Sequence, residues 1–362
     1  MHAQVKSDEE KPLARGEAVR VGDIGEFALI DRLQRFLQVP SGSNVVKSIG
    51  DDCAVLQPSA ESELILTTDS QEEGVHYRLD WSAPEDIGWR CLAINVSDIA
   101  AMAGRPLGAV VALSLPPELD VAFVDGLYTG MQALAREMAC PIIGGNMTKT
   151  TGRVSVTITV LGEVPKGQAI YRSGAQPGDE IWVTGTLGGA KAGLEVLLHP
   201  EAVAGVPAAH ALTCYRRPQP RLHEAQFLRQ RVTLHSLLDL SDGLSGDLRH
   251  ICRASGVGAQ IEADAVPIHD DTRRIAHALQ ADPLSFALHG GEDFELCFTA
   301  PPRQIEPIRD DFEQQFNASL VRVGTIRRGE EVTLQQPGGS EAVLPARGYD
   351  HFRPAADFEN SF

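Results

Sequence analysis

At 362 residues, with 32 Lys plus Arg against 49 Asp plus Glu and a net charge of −17, the chain suits two domains and is too acidic for a phosphate-backbone partner. Its basic residues do not cluster, which excludes nucleic acid, although an acidic protein can hold anionic phosphates through divalent cations. No apolar run approaches membrane-spanning length and residues 1–20 are charged throughout, so a soluble, cytoplasmic protein without a membrane partner is expected, with a mobile tail to about Val21. The six cysteines, Cys53, Cys91, Cys140, Cys214, Cys252 and Cys297, are scattered singly with no CxxC pair, and read as reduced core residues.

Phe27, Ile30, Leu33 and Leu37 recur at helical spacing and predict an amphipathic helix that stops before Pro40. IGDDCAVL follows, with Asp51 and Asp52 between apolar flanks, and ELILTTDS predicts a strand ending at Thr67, Thr68 and Asp69. Residues 87–102 read as a helix in which Cys91, Ile94, Asp98 and Ala101 stand three or four apart. Asp98 then lies near the inward stripe, where an acid is costly unless paired. A strand over 109–115, a helix over 119–138 and a short buried strand at 141–143 lead into Gly144-Gly145-Asn146. Val154, Val156, Ile158 and Val160 alternate, which marks a half-buried strand. The Gly and Pro punctuation of 165–178 marks a boundary between domains at 22–165 and 166–353, flanked by tails 1–21 and 354–362.

The second half opens with a strand over 180–184, the turn GTLGGAK into a helix, and another helix after Pro220. LLDLSDGLSGDL, residues 237–248, follows. If 234–240 is a strand and Gly243 begins a helix, Asp239 and Ser241 fall at the strand end and Asp242 at the N-cap. Asp247, a turn further on, reads as a helix-surface or packing residue. Strands near 259–261 and 294–299, helices near 271–279 and 305–316, and a closing strand at 319–323 complete a mixed α/β pattern in both halves.

Asp51, Asp52, Asp69, Asp98, Asp239 and Asp242 are either unrelated caps and turns or a converging cluster. If they converge, each close pair repels by about 4 kcal/mol at an effective dielectric near 20, which protonation or a bound cation must relieve. Hard oxygen donors without His or Cys partners favour magnesium over zinc. GTLGGAK lacks the GxxxxGK[ST] spacing of a phosphate loop and reads as a packing turn. No GxSxG elbow or Cys/His pair supports acyl chemistry. His76 and His289 are candidate bases or hydrogen-bonded structural residues, and Arg172 either clamps a phosphate or pairs on the surface.

GDDCAVL, TTDSQEEGVHY, NVSDIAAMAGRP, GGNMTKT, RSGAQPGD, LDLSDGLSGDL and GGEDFELCFT occur in this order, and with the C-terminal GYDHF the chain resembles the thiamine-monophosphate kinases. The resemblance implies the α/β fold shared with aminoimidazole ribonucleotide synthetase and selenophosphate synthetase. It also implies a homodimer that pairs the N-terminal sheets, and ATP in the cleft between domains. By motif, Asp52, Thr67, Thr68, Asp69, Asp98, Asn146, Asp239 and Asp242 are implied ligands of several magnesium ions, with Asp69 and Asp242 at the catalytic centre. Gly145, Asn146, Arg172 and Ser241 are implied to contact ATP, and His76, Glu292 and Tyr349 thiamine monophosphate. Two positions depart from the family pattern: GGNMT stands where the family has GGDTT, so Asn146 lacks a charge, and Phe294 replaces a common Tyr. The implied activity is ATP-dependent phosphorylation of thiamine monophosphate. The alternatives are another ATP-dependent enzyme of the superfamily, or a metal- and nucleotide-binding protein without kinase activity.

Overall fold

The structure, a computed structural model, describes residues 19–50, 52–345 and 347. Asp51, Tyr349 and the GYDHF segment lie outside the described residues, as does nearly all of both expected tails.

The chain begins with α1 (Val21–Phe36), bent at Gly25, and the short antiparallel pair β1 (Val45–Lys47) and β2 (Val55–Leu56). α1 starts earlier than predicted and turns a different stripe inward. Leu29 and Leu33 are buried in the core cluster while Phe27 is 80% exposed, and the partly exposed Arg32–Asp125 pair lies at the edge of this contact. Next come β3 (Ser62–Glu72), α2 (Pro84–Ala101), β4 (Arg105–Leu115), α3 (Val121–Glu137), β5 (Ile142–Lys149) and β6 (Ser155–Pro165). Their four strands form one sheet in the order β3-β6-β4-β5, antiparallel except for β4 with β5. The strand predicted to end at Asp69 continues to Glu72, since its ladder with β6 runs from Ser62 opposite Pro165 to Glu72 opposite Ser155. Likewise β5 extends through Gly144-Gly145-Asn146, because that stretch pairs in parallel with residues 110–112.

The second half contains β7 (Glu180–Thr184), α4 (Gly189–Leu198), α5 (Ala209–Arg216), α6 (Leu222–Arg231), β8 (Ser236–Asp239), α7 (Leu244–Ser255) and β9 (Gly258–Glu262). It continues with α8 (Asp270–Ala278), α9 (Pro283–His289), β10 (Leu296–Ala300), α10 (Glu306–Phe316), β11 (Leu320–Arg327), β12 (Val332–Gln335) and β13 (Glu341–Val343). The seven strands order as β13-β12-β9-β11-β7-β10-β8, with only β12 and β9 parallel. The predicted closing strand is therefore not the last; β12 and β13 add the edge beyond β9.

Helix α2 joins the halves. Ile87, Leu92, Val96 and Ile99 are each buried in one cluster with Val156 and Val160 of β6 on one side and Trp182, Leu237 and Phe298 of the second sheet on the other. A second cluster, with Leu244, Leu248 and Ile251 of α7 against Val183 and Leu238, covers the opposite face of the seven-stranded sheet. The cysteines are free thiols, but Cys53 is exposed and Cys214 half-buried, so the expected core placement fails for these two. No helix among the described residues is long and apolar enough to cross a membrane.

α2 and α3 approach closely through glycines. A Cβ on Gly88 would lie 1.8 Å from the Leu127 carbonyl oxygen, and one on Gly130 1.8 Å from that of Glu85. Backbone cannot yield there as a flexible side chain would, and overpacking of this kind costs about 1–3 kcal/mol. Gly130→Ala is therefore expected to lower the unfolding free energy from urea titration by about 1–3 kcal/mol, and an unchanged value would contradict the close helix crossing.

Candidate functional site

Strand alternation and one buried helix bring the acids together. On β3, Ile65, Thr67, Asp69 and Gln71 face α2, while Leu64, Leu66, Thr68 and Ser70 take the uncovered face. α2 presents Ser97 and Asp98 at the seam between the sheets, and β8 ends there on Asp239. Thr67 Oγ1 donates to Asp98 Oδ2, and Ser97 Oγ donates to Asp239 Oδ2 at 2.6 Å, across the junction of the two halves.

The electrostatics follow from burial. Burial, then the charge of Asp98 and a hydrogen bond to it, push the Asp69 carboxyl up to about 6. Burial and then Asp98 push Asp239 up to about 7, against the opposing Ser97 bond and the Arg172 charge. Both shifts come first from burial and then from crowded like charge, which a hard divalent ion would relieve, and the donor set, all oxygen, fits such an ion. Arg172 is exposed but close enough for its charge to act on Asp239, Asp247 and His250, and the hydrogen bond from Leu237 N to Tyr171 O (3.0 Å) sets its segment alongside β8.

The turn after β8 corrects one expectation and decides between the two readings of Asp247. The N-cap of α7 is Gly243, with φ at +100°, and not Asp242. Asp247 is not a surface residue: it is 4% exposed and its Oδ2 accepts the Asp242 N–H at 3.0 Å. Burial, then the Asp242 charge, lift its carboxyl to about 8. Ligand atoms of Asp242, Asp247 and His250 lie within 4.8 Å of one another, a grouping the sequence reading missed. Asp247 and His250 fall on one face of α7 at i, i+3, a spacing that could have signalled it.

A second turn packs on the first. The Ser241 carbonyl accepts Glu292 N–H at 2.8 Å, and a Cβ on Gly291 would sit 2.5 Å from that same oxygen. Glu292 and Phe294 both hold left-handed backbone, at φ +70° and +50°, a strain that non-glycine residues adopt only where surrounding contacts impose it. Asp293 between them accepts from Gly188 N (2.6 Å) and Ala190 N (3.1 Å), so the GTLGGAK helix start is already taken by a carboxyl of the chain itself. The Glu292 side chain pairs with Arg90 of α2, whose guanidinium also donates to Gln71 and the Tyr215 carbonyl. Tyr215 Oη in turn reaches the His76 carbonyl at 3.4 Å, and His76 Nδ1 accepts Glu72 N–H at 3.0 Å. Arg90, Gln71 and Tyr215 were not foreseen from the sequence.

The remaining predicted residues sit apart from this seam. Thr68 Oγ1 donates to the Ile158 carbonyl and accepts from Thr159 on the uncovered sheet face, leaving it only main-chain atoms for the cluster. Asn146 is exposed on that same face, opposite Ala112, on the far edge strand β5. Gly145 is required where it stands, since a Cβ would meet the Val111 carbonyl at 2.0 Å. Asp52 is exposed ahead of β2, in a segment tied to α1 by Gln34 Nε2 to Ile49 O (3.1 Å) and to β5 by Ser48 Oγ to Ile143 O (3.5 Å). His289 Nδ1 bonds Ser245 Oγ at 2.7 Å, the structural alternative for that residue.

Residues 50–164 match the family described as AIR synthase related protein, N-terminal domain, and residues 176–336 match its C-terminal domain. The thiamine-monophosphate kinase of Salmonella typhimurium is 38% identical over 330 residues, covering 91% of this chain and 98% of that protein. The chain belongs to the thiamine-monophosphate kinase family. Among solved structures, the thiamine-monophosphate kinase of Stenotrophomonas maltophilia K279a is 36% identical with a TM-score of 0.77, covering 88% of this chain and 98% of that one. A structure described as AaThiL complexed with AMPPCP and TMP is 29% identical with a TM-score of 0.72, covering 92% and 99%. In this member of the thiamine-monophosphate kinase family, the shared fold places Asp69, Asp98 and Asp239 at one seam.

The raised carboxyls carry a pH dependence with a definite sign. A group whose folded pKa exceeds its unfolded value, near 4 for a carboxyl, stabilises fully below that value and loses the contribution as pH rises through the folded one. For Asp239 that loss begins near pH 4 and is nearly complete above about 7. Without divalent cations, the thermal midpoint of the wild type should therefore fall relative to Asp239→Asn as pH rises through this window, and added Mg2+ should reverse the difference. Parallel midpoints across the window would contradict the buried, uncompensated carboxylate.

Proposed function

We propose that the chain transfers the γ-phosphoryl group of ATP to thiamine monophosphate, giving thiamine diphosphate by direct in-line attack. The observation that carries the reading is the convergence of Asp69, Asp98 and Asp239 from both halves of a chain in this family. The likeness to a ThiL structure holding AMPPCP, a methylene-bridged analogue of ATP, and TMP supports ATP as co-substrate.

The acceptor explains why the site needs no strong base. A phosphate monoester loses its second proton near pH 6, so at neutral pH it is already largely an anionic nucleophile. Two polyanions must then be brought together, which makes neutralisation and alignment the main tasks. Asp69, Asp98, Asp239 and Asp242, with Thr67 and main-chain atoms of Thr68, would hold magnesium, which supplies charge neutralisation of the phosphates; Asp52 and Asn146, which lie apart from this seam within one chain, are assigned to the set by motif. Asp69 and Asp242 stand nearest the transfer in this reading. Arg172 faces the acids from the second half and offers a guanidinium to an ATP phosphate. Ser241 completes the nucleotide side, and His76 and Glu292 the acceptor side, with Gly145 and Asn146 assigned to the nucleotide and Tyr349 to the acceptor by motif.

The division into domains at 22–165 and 166–353 goes with a cleft for ATP between them. The uncovered face of the first sheet carries Leu64, Leu66 and Val110, at 55, 69 and 37% exposure, an apolar surface suited to a second copy of the chain in a homodimer. Free cysteines accord with a cytoplasmic protein.

Purified protein with ATP, Mg2+ and thiamine monophosphate is expected to yield thiamine diphosphate and ADP in equal amounts. Asp242→Asn should reduce turnover by at least about a hundredfold with an unchanged circular dichroism spectrum. Binding of ATP and magnesium with no product would instead favour a non-catalytic binding protein, the reading to which the neutral Asn146 points.

A further inference from the structure

We infer that Arg90 is the positioning residue that fixes Glu292 for the acceptor and ties it to the strand bearing Asp69. This rests on the kinase reading above and deepens its acceptor side. Arg90 is 2% exposed, although it stands on α2 among apolar residues. Each of its guanidinium nitrogens has a partner from a different element. Nε donates to Gln71 Oε1 (3.1 Å) on β3, Nη1 to the Tyr215 carbonyl (2.5 Å) at the end of α5, and Nη2 pairs with Glu292 Oε1 in the loop before β10. The guanidinium also lies over the Tyr215 ring, 5.0 Å from its centroid.

A buried ion pair is weak as a stabilising device, because desolvation offsets most of its attraction. Its geometric content is what distinguishes this one. The planar fork fixes three directions at once, which a lysine cannot do. Gln71 is two residues beyond Asp69 on the same face of β3, so the fork refers Glu292 to the strand that carries the acid. Through Tyr215 Oη it also refers Glu292 to His76, the other residue expected at the acceptor. The Glu292 backbone is left-handed and bonded to Ser241, so main chain and side chain are both held before any ligand arrives. One carboxylate oxygen is bound to Arg90 while the side chain stays 31% exposed, which leaves the second oxygen for the amino group or thiazolium cation of thiamine monophosphate.

The test measures acceptor and nucleotide KM separately in Arg90→Met and Arg90→Lys, alone and combined with Glu292→Gln. Arg90→Met should raise KM for thiamine monophosphate by about tenfold or more while KM for magnesium-ATP stays within about twofold, and Arg90→Lys should recover part of the loss. Because Arg90 acts through Glu292, adding Arg90→Met to Glu292→Gln should cost no more than about a further twofold. An unchanged acceptor KM, an equal rise in both KM values, or additive losses would each overturn the proposal. Should Arg90→Met fail to fold, the Arg90→Lys pair is read by the same criteria. Wild-type turnover tests the kinase reading by itself. If it fails, the calorimetric Kd for thiamine monophosphate still decides: equal values in wild type and Arg90→Lys, or no binding to the wild type, would remove the role of Arg90.

Discussion

Asp98 stands on a helix that cannot turn away from either half of the molecule. α2 is packed against β6 on one side and against Trp182, Leu237 and Phe298 on the other, so the orientation of Asp98 is set by two cores at once. The same packing brings Asp69 and Asp239 against it from opposite halves, where burial and then the Asp98 charge raise both of their carboxyls. Much of the local design follows from this crowding. Thr67 and Ser97 each donate a hydroxyl to one of the acids, and Arg172 faces the group from the linker.

The acceptor side is organised differently, by restraint of backbone. Two facing turns, one after β8 and one before β10, lock together through Gly291 against Ser241 and through left-handed Glu292 and Phe294. Asp293 is committed to capping α4 and cannot serve a ligand at the same time. The neighbouring Glu292 is thereby separated from it in role, although the two are adjacent in sequence. Arg90 links this rigid corner to β3, and the seam of acids and the acceptor corner share one reference frame.

Much of this frame was legible in the sequence, and the failures have definite causes. The three-and-four spacing around Asp98 marked the inner side of α2, alternation marked β6, and the apolar run before Asp239 marked β8. The length of β3 was hidden because polar and apolar residues alternate along an edge strand with an uncovered face, so no composition change marks its end. Asp247 was left between a surface and a packing role because distance along a helix says nothing of how the preceding turn folds back; Gly243, at φ +100°, lets the Asp242 amide meet the buried Asp247 carboxylate. Arg90 and Glu292 are 202 residues apart, and no local pattern couples them. Asn146 was identified as the weak point of the expected metal set, and its exposed place on the far edge strand agrees with a peripheral role in a single chain.

The central claim is that acids from the two halves hold one shared cation site. The most direct measurement is a calorimetric titration of Mg2+ into protein saturated with a non-hydrolysable ATP analogue, for wild type, Asp98→Asn, Asp239→Asn and the double variant. A shared site predicts that each single substitution weakens binding by about tenfold or more and that the double is much less than the product of the two. Magnesium affinity unchanged by either substitution, or losses that multiply as for independent sites, would contradict it.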